Sequence, residues 1–211
     1  NAARRDGSGT IRNEDRELSL LSVGLDFRSR DLRLSADVGF QDHRINAPRP
    51  SVTPIGGIPD APDASRNFGQ PWTFARERSL FATARAEYDL SAATTAWAAF
   101  GLRNGEEENR VANPNSSVTG ETATYRFDNI RKDQGRTAEV GVRHQFVTGE
   151  VKHTAVVSAS TYRLESRNAW GGSDWFANSF RGDVLGNLYS AGNAPMPAII
   201  NGAGNYNDPL V

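Results

Sequence analysis

Between residues 78 and 103 the chain alternates apolar and polar side chains in two runs, separated by Ser91-Ala92-Ala93. In the first run Leu80, Ala82, Ala84, Ala86, Tyr88 and Leu90 alternate with Ser79, Phe81, Thr83, Arg85, Glu87 and Asp89. In the second, Thr94, Ala96, Ala98, Phe100 and Leu102 alternate with Thr95, Trp97, Ala99, Gly101 and Arg103. A period of two is the signature of a β-strand, because successive side chains point to opposite faces of a sheet. The short intervening segment leaves room only for a tight turn. The predicted hairpin is largely apolar on one face and carries Arg85, Glu87, Asp89 and Arg103 on the other. A one-sided apolar strand of roughly 9–11 residues is long enough to cross a bilayer when tilted.

The same unit recurs on either side. Leu21, Val23, Leu25 and Phe27 oppose Ser22, Gly24, Asp26 and Arg28; after Ser29-Arg30-Asp31, Leu32, Leu34, Ala36, Val38 and Phe40 oppose Arg33, Ser35, Asp37, Gly39 and Gln41. Further on, Ala138, Val140, Val142, His144 and Phe146 oppose Thr137, Glu139, Gly141, Arg143 and Gln145, and Thr148-Gly149-Glu150 turns the chain. The next run, Val151 to Leu164, is rich in β-branched residues, but two phases compete for its apolar face. The pattern predicts six strands in three hairpins, with connections at 6–16, 46–77, 104–124 and from Ser166 onward. The first five residues are too short to classify and fit the end of a strand.

These connections are polar and heavily punctuated. Asn46 to Arg76 holds six prolines and three glycines, which remove ladder donors and weaken strands. A loop of about thirty residues is long enough to suggest function, and it closes on the aromatic cluster Phe68-Gly69-Gln70-Pro71-Trp72-Thr73-Phe74. Glu106-Glu107-Glu108 lacks the spaced carboxylates, central glycine and terminal glutamate of a calcium loop, so it reads as a solvated acidic stretch. The Asn115-Ser116-Ser117 sequon is too short a pattern to carry weight.

Composition narrows the class. Hydrophobic residues make up only 37% of the 211 residues, which suits a wall in which alternate side chains meet an apolar medium. The net charge of −1 does not support a nucleic-acid partner. With no cysteine, disulfides and thiolate metal sites are excluded. No apolar run approaches the roughly 18 residues of a transmembrane helix, so any membrane crossing falls to strands. There is no Gly-x-Ser-x-Gly elbow and no His-Glu-x-x-His, and His43, His144 and His153 sit in strand patterns, so no catalytic residue is expected.

An alternating apolar face can meet lipid or the core of a soluble sandwich. This one is rich in alanine and modest in large side chains, whereas a sandwich core calls for bulkier, interlocking residues. Brief turns on one edge and long connections on the other also match outer-membrane barrels. Phe27, Tyr88, Trp97 and Phe146 lie beside the tight turns, and Phe40, Phe81, Phe100 and Tyr162 nearer the long connections, as interfacial girdles require. Phe81 and Trp97 nevertheless fall on the polar face. The expected fold is all-β: an antiparallel meander of transmembrane β-hairpins, part of a large outer-membrane barrel.

Phe146-Val147-Thr148-Gly149-Glu150-Val151-Lys152-His153-Thr154 resembles the short turn and following strand of TonB-dependent siderophore receptors of Gram-negative outer membranes. Leu34 to Phe40, Asn67 to Trp72, Glu87 to Leu90 and Tyr125 to Asn129 are similar in style to the same barrels. The resemblance implies a barrel of about twenty-two strands with an N-terminal plug. It also implies import of a ferric siderophore with energy passed on by TonB. Residues 1–211 are then expected to be one partial barrel domain, without the plug, the TonB-contacting segment or a terminal aromatic.

A siderophore shields its own iron, so such a receptor needs aromatic and polar surface, with neither metal ligands nor cofactor. The residues expected to contact ligand are Trp72, Phe74, Trp170, Trp175 and Phe176, with Arg76 and Arg181 drawing an anionic chelate. Arg33, Asp37, Arg85, Glu87, Arg103, Glu139 and Arg143 would line the lumen and meet the plug. The expected partners are a ferric siderophore, the TonB complex through the plug, and outer-membrane lipid. A passive porin and a soluble β-sandwich binding module stand as alternatives.

Overall fold

The computed structural model describes residues 1–173, 180–190 and 192–204. Among them β1 (Ala2–Ser8), β2 (Asp15–Arg28), β3 (Leu32–Asn46), β4 (Thr53–Pro54), β5 (Phe74–Ser91), β6 (Thr94–Ser116), β7 (Glu121–Thr148), β8 (Val151–Gly172), β9 (Val184–Asn187) and β10 (Asn201–Gly204) form one sheet. Its main path is antiparallel, β1-β2-β3-β5-β6-β7-β8-β10; β4 adds in parallel to the tip of β6, and β9 pairs with the start of β7.

Three tight turns set this order. Ser29 N donates to Leu32 O at 2.8 Å across the β2–β3 turn, and Ala93 N donates to Ser91 Oγ at 3.2 Å across the β5–β6 turn. Gly149 takes a φ of 63° at the β7–β8 turn, a region that costs any side chain with a Cβ. Because side chains alternate strictly, one residue of slip would turn every apolar residue to the other face. The register prevents that: Leu25, Ala36, Ala84, Phe100, Ala138 and Thr161 form one row, and Phe27, Leu34, Ala86, Ala98, Val140 and Ala159 the next. The ladder resolves the ambiguity of β8, whose apolar phase is Ala155, Val157, Ala159 and Thr161.

The strands run further than alternation suggested. Asp6–Ser8 belong to β1, β5 begins at Phe74, and β8 continues through Trp170 to Gly172. The largest correction is the stretch 104–124. It is paired hairpin from Asn104↔Gln134 to Ser116↔Thr122, closed by a short turn in which Gly120 takes a φ of 83°. At about 3.4 Å per residue, the 28 residues of β7 reach far beyond a hydrocarbon core of roughly 30 Å. In this extension both faces are polar, so the period of two vanishes from the sequence while the backbone ladder continues. Cross-strand ion pairs occupy it: Lys132 to Glu106 at 3.3 Å, and Arg78 to Asp42 at 3.4 Å.

The apolar face is uncovered. Leu25 is 68% exposed and Val157 76%. Among the described residues the buried apolar ones are Ala47, Ala112, Ala123, Ala169 and Leu188, and all lie at the long-connection end. There the loop after β3 and the segment after β8 lock together. Arg66 donates to Tyr189 O, Tyr189 Oη donates to Asp60 O at 2.9 Å, and Gln70 bonds both Gly192 O (3.0 Å) and Ala194 N (2.9 Å). Beyond Ala194 the segment crosses the tip of β7, where Arg126 donates to Pro197 O at 2.9 Å, and Ile200 N then bonds Gly172 O at 2.9 Å. Arg126 is held by Asp128, which also takes Arg110, at 2.7 and 3.0 Å.

On the polar face two aromatics rest on glycines of the neighbouring strand. A Cβ on Gly39 would lie 2.3 Å from Phe81, and one on Gly141 2.2 Å from the Trp97 ring. This explains why both aromatics depart from the apolar phase: each fills the hollow a glycine leaves. Trp97 cannot swing away freely, since its Nε1 donates to Glu139 at 2.8 Å and Arg85 covers its ring at 5.5 Å.

Gly141→Ala is expected to destabilise the wall by about 1–3 kcal/mol, read as earlier loss of the heat-resistant folded band on gels. Adding Trp97→Ala should recover part of that loss; a double variant worse than the sum of the two singles would refute the packing. Asp128→Ala leaves Arg126 buried without its carboxylate, at a cost of about 3–5 kcal/mol. It should speed hydrogen exchange at Ile200 and its neighbours while leaving the β5–β6 ladder protected. Unchanged exchange at Ile200 would contradict the idea that Arg126 holds the segment from Ala194 to Ile200 across the tip of β7.

Candidate functional site

The polar face is divided into two regions. Beside the tight turns, Arg33 forks onto Asp89 with two bonds of 2.6 Å and reaches Glu87 at 3.1 Å; Arg85 holds Glu87 at 2.9 Å, and Thr95 donates to Asp89 at 2.8 Å. The network ties β3, β5 and β6 together. It borders a polar hollow of about 650 Å³, to which Arg28 and Arg143 also contribute. Its mixed charges suit a hydrogen-bonded interface with a polar partner and favour no single ion.

Towards the long-connection end the polar face becomes a shelf. Trp170 stacks on Phe127, with ring centroids 6.3 Å apart and planes at 19°. Asn129 stands across the ladder from Trp170, and Asn109 across from Asn129. Immediately below, Glu77, Ser79, Arg103, Glu107, Arg131 and Asp133 surround a hollow of about 380 Å³. Within it Arg131 pairs with Asp133 at 2.9 Å, Ser166 Oγ donates to Asp133 at 2.6 Å, and Arg103 donates to Ser79 Oγ at 3.0 Å. An aromatic shelf over a ring of donors and acceptors can hold a flat, polar organic molecule by stacking and hydrogen bonds.

The residues expected to bind ligand are not brought together. Trp170 is on the shelf, on strand β8 rather than in a loop. Phe74 and Arg76 also lie on a strand, and register places both on the same face as Leu80, away from the shelf. Phe74 lies between Arg44 at 5.2 Å and Arg110 at 5.4 Å, while Arg76 grips Asp42 with bonds of 3.0 and 2.5 Å. Trp72 is half-buried and donates to Ala194 O at 3.1 Å, fastening one loop to the other. The Arg181 carbonyl accepts from Asn115 at 3.2 Å. Trp175 and Phe176 lie outside the described residues.

Sequence reasoning missed Phe127, Asn109, Asn129, Arg131 and Asp133 as one site. The signal was present: the odd-numbered polar phase of β7 runs unbroken from Arg143 back to Phe127. The acidic triplet is divided by the same rule, with Glu107 on the shelf side and Glu106 and Glu108 on the other. Among the described residues no cluster of three metal-ligating side chains forms.

No family model matches the chain. Along its whole length it is 28% identical to the ferrichrome receptor FcuA of Yersinia enterocolitica, of which it spans 27%. The ferric preacinetobactin receptor BauA of Acinetobacter baumannii superposes on 96% of the chain with a TM-score of 0.78 at 24% identity, over 31% of its own length. The siderophore receptor PiuA of the same organism gives 96%, 0.75 and 13%, over 32%. The ferripyoverdine receptor of the outer membrane of Pseudomonas aeruginosa gives 96%, 0.70 and 15%, over 28%. The chain thus spans less than a third of the length of these relatives. Strand order, register and an end-to-end likeness give the chain the fold of a stretch of barrel wall such as these receptors contain, and it is similar to the ferrichrome receptor along its whole length.

Proposed function

We propose that the chain is the wall segment of a receptor that binds ferric siderophores at the Gram-negative cell surface and imports them with energy passed on by TonB. The observation that carries this reading is the alignment with a ferrichrome receptor, which leaves no part of the chain uncovered. On this reading residues 1–211 belong to one barrel domain, whose further strands and plug are other parts of the receptor. The alanine-rich face meets lipid, which accounts for Leu25 and Val157 standing exposed with no protein against them. The polar face lines the lumen, and the network of Arg33, Glu87 and Asp89 is where a plug docks. The work of the protein is then binding and gating, with no bond made or broken. The chelate carries its own iron ligands, so the shelf supplies stacking and hydrogen bonds.

Trp170 and Phe127 are the proposed contacts, with Trp72, Trp175 and Phe176 as further aromatic candidates. Phe74 and Arg76, turned to the other face, are not part of this proposal. Arg181, whose carbonyl is held at the tip of β6 by Asn115, is the proposed cation for drawing an anionic chelate.

The test is uptake of radioactive iron, offered as a panel of ferric siderophores, by cells whose own receptors are deleted and which express the full-length receptor. At least one chelate should be imported, and deletion of TonB should abolish import; uptake that persists without TonB would favour a passive porin. Trp170→Ala should weaken binding of that chelate about tenfold, or about 1.4 kcal/mol. Arg76→Ala should change it by less than about twofold. The reverse ranking would move the site to the other face.

A further inference from the structure

We propose, on the reading that the shelf holds a ferric chelate, that Glu77 makes the site selective for chelates bearing a protonated amine on a side arm. The body of the chelate lies on Trp170 and Phe127, and the ammonium comes to rest between Glu77 and Glu107. The substrate class is thereby narrowed by one chemical group.

The charges of the hollow below the shelf do not balance. On the polar face it carries three carboxylates, Glu77, Glu107 and Asp133, against two guanidinium groups, Arg103 and Arg131. Arg131 is bonded to Asp133 at 2.9 Å and Arg103 to Ser79 at 3.0 Å. Glu107 accepts from Asn109 and faces Arg131 across the ladder. Arg78 and Glu106 reach the rim from the other face, where they pair with each other at 3.8 Å and leave the imbalance as it was. Glu77 is left over. It is exposed, and among the described residues it makes no hydrogen bond and no ion pair. Its neighbour across the β5–β6 ladder is Glu107, and like charges directly opposite are destabilising. On its other side stands His43, across the β3–β5 ladder and with no bond between them. A cation between the two glutamates removes the repulsion, and among the described residues no side chain supplies it.

Register sets the reach. Glu77, Glu107, Arg131 and Asn168 form one row across β5 to β8, and Trp170 is the next residue of that face beyond Asn168. Three strand spacings separate β5 from β8, roughly 14 Å. A chelate stacked on Trp170 therefore meets Glu77 only through an arm. Selection acts on the end group of that arm and leaves the iron-binding core free to vary. An ammonium fits: it has three donors for the carboxylates on either side and carries the charge the hollow lacks. Arg181 does not compete for it. Its carbonyl is held by Asn115, which lies further along β6 than Glu107 by roughly 27 Å, so it acts on the approaching chelate well above the hollow.

The experiment uses the full-length receptor in detergent at about pH 8, where an aliphatic amine is protonated and an imidazole is not. The probes are a ferric linear trihydroxamate ending in a primary amine and the same chelate with that amine acetylated. Quenching of tryptophan fluorescence on titration reads both affinities. The wild type should bind the amine form about fivefold more tightly, the effect of one exposed ion pair. Glu77→Gln should cut that preference to less than about twofold by weakening the amine form, and Glu77→Lys should reverse it. Added salt should shrink the wild-type preference. Trp170→Ala should weaken both probes alike, since the shelf holds the body and not the arm. Both Glu77 variants change one exposed side chain, and heat-modifiable migration confirms that they fold. Equal affinity of the wild type for the two probes, a preference for the acetylated one, or a preference that survives Glu77→Gln would each overturn the assignment. So would a receptor that takes other chelates of the panel and neither probe. A receptor that binds no ferric chelate at all fails the reading of the shelf itself, so the two failures are told apart.

Discussion

The structure depends on one continuous antiparallel ladder. Along the main path from β2 to β8 each strand pairs with a strand on either side, and among the described residues no second sheet covers either face of the wall. A sheet without a layer behind it cannot hold its register by burying side chains against a core. Register is held instead by the tight turns, the glycine at 149, and side chains that span strands on the polar face. Once register is set, every other property follows. The apolar residues fall into rows, the charges fall opposite partners, and the two polar-face aromatics fall over glycines.

The polar face shows why charge suits this wall. The fork of Arg33 onto Asp89 and the bond of Trp97 to Glu139 each connect residues far apart in sequence and adjacent in the sheet. Single exposed ion pairs contribute little, but a connected set on one face resists the one-residue slip that the backbone alone would tolerate. The same face, further up, exchanges ion pairing for stacking and hydrogen bonding at Trp170, Phe127, Asn109 and Asn129. One surface therefore carries an ion-pair network near the turns and an aromatic shelf near the loops.

Among the described residues the buried side chains gather at the far end. Glu14, Gln70, Arg126, Asp128 and Ser173 are all buried there, and none is a residue type usually associated with a core. They are tolerable because each polar atom is satisfied: among the described residues no buried side-chain donor or acceptor lacks a partner. The tip is thus a small, water-poor polar assembly. It gives the loops a defined shape, which a shelf beneath them needs if it is to admit some molecules and refuse others.

How much was legible in the chain itself varies along the wall. The hairpins around Ser29-Arg30-Asp31, Ser91-Ala92-Ala93 and Gly149 could be read directly, because a face against an apolar medium imposes a period of two on residue choice. That period also showed which side of Ala84 and Ala98 was apolar, and the style of those strands pointed to an outer-membrane receptor. Outside the membrane band the constraint disappears: Asn104 to Thr124 carries polar residues on both faces, so a perfectly paired hairpin looked like a loop. Loop composition likewise suggested that Phe74 and Arg76 met ligand, although a position's face depends on counting from a paired neighbour many residues away. The alternation of side chains is local, and the chain encodes it residue by residue. Which strand lies beside which, and so which arginine meets which carboxylate, is a property of the paired ladder, and only the tertiary structure decided it.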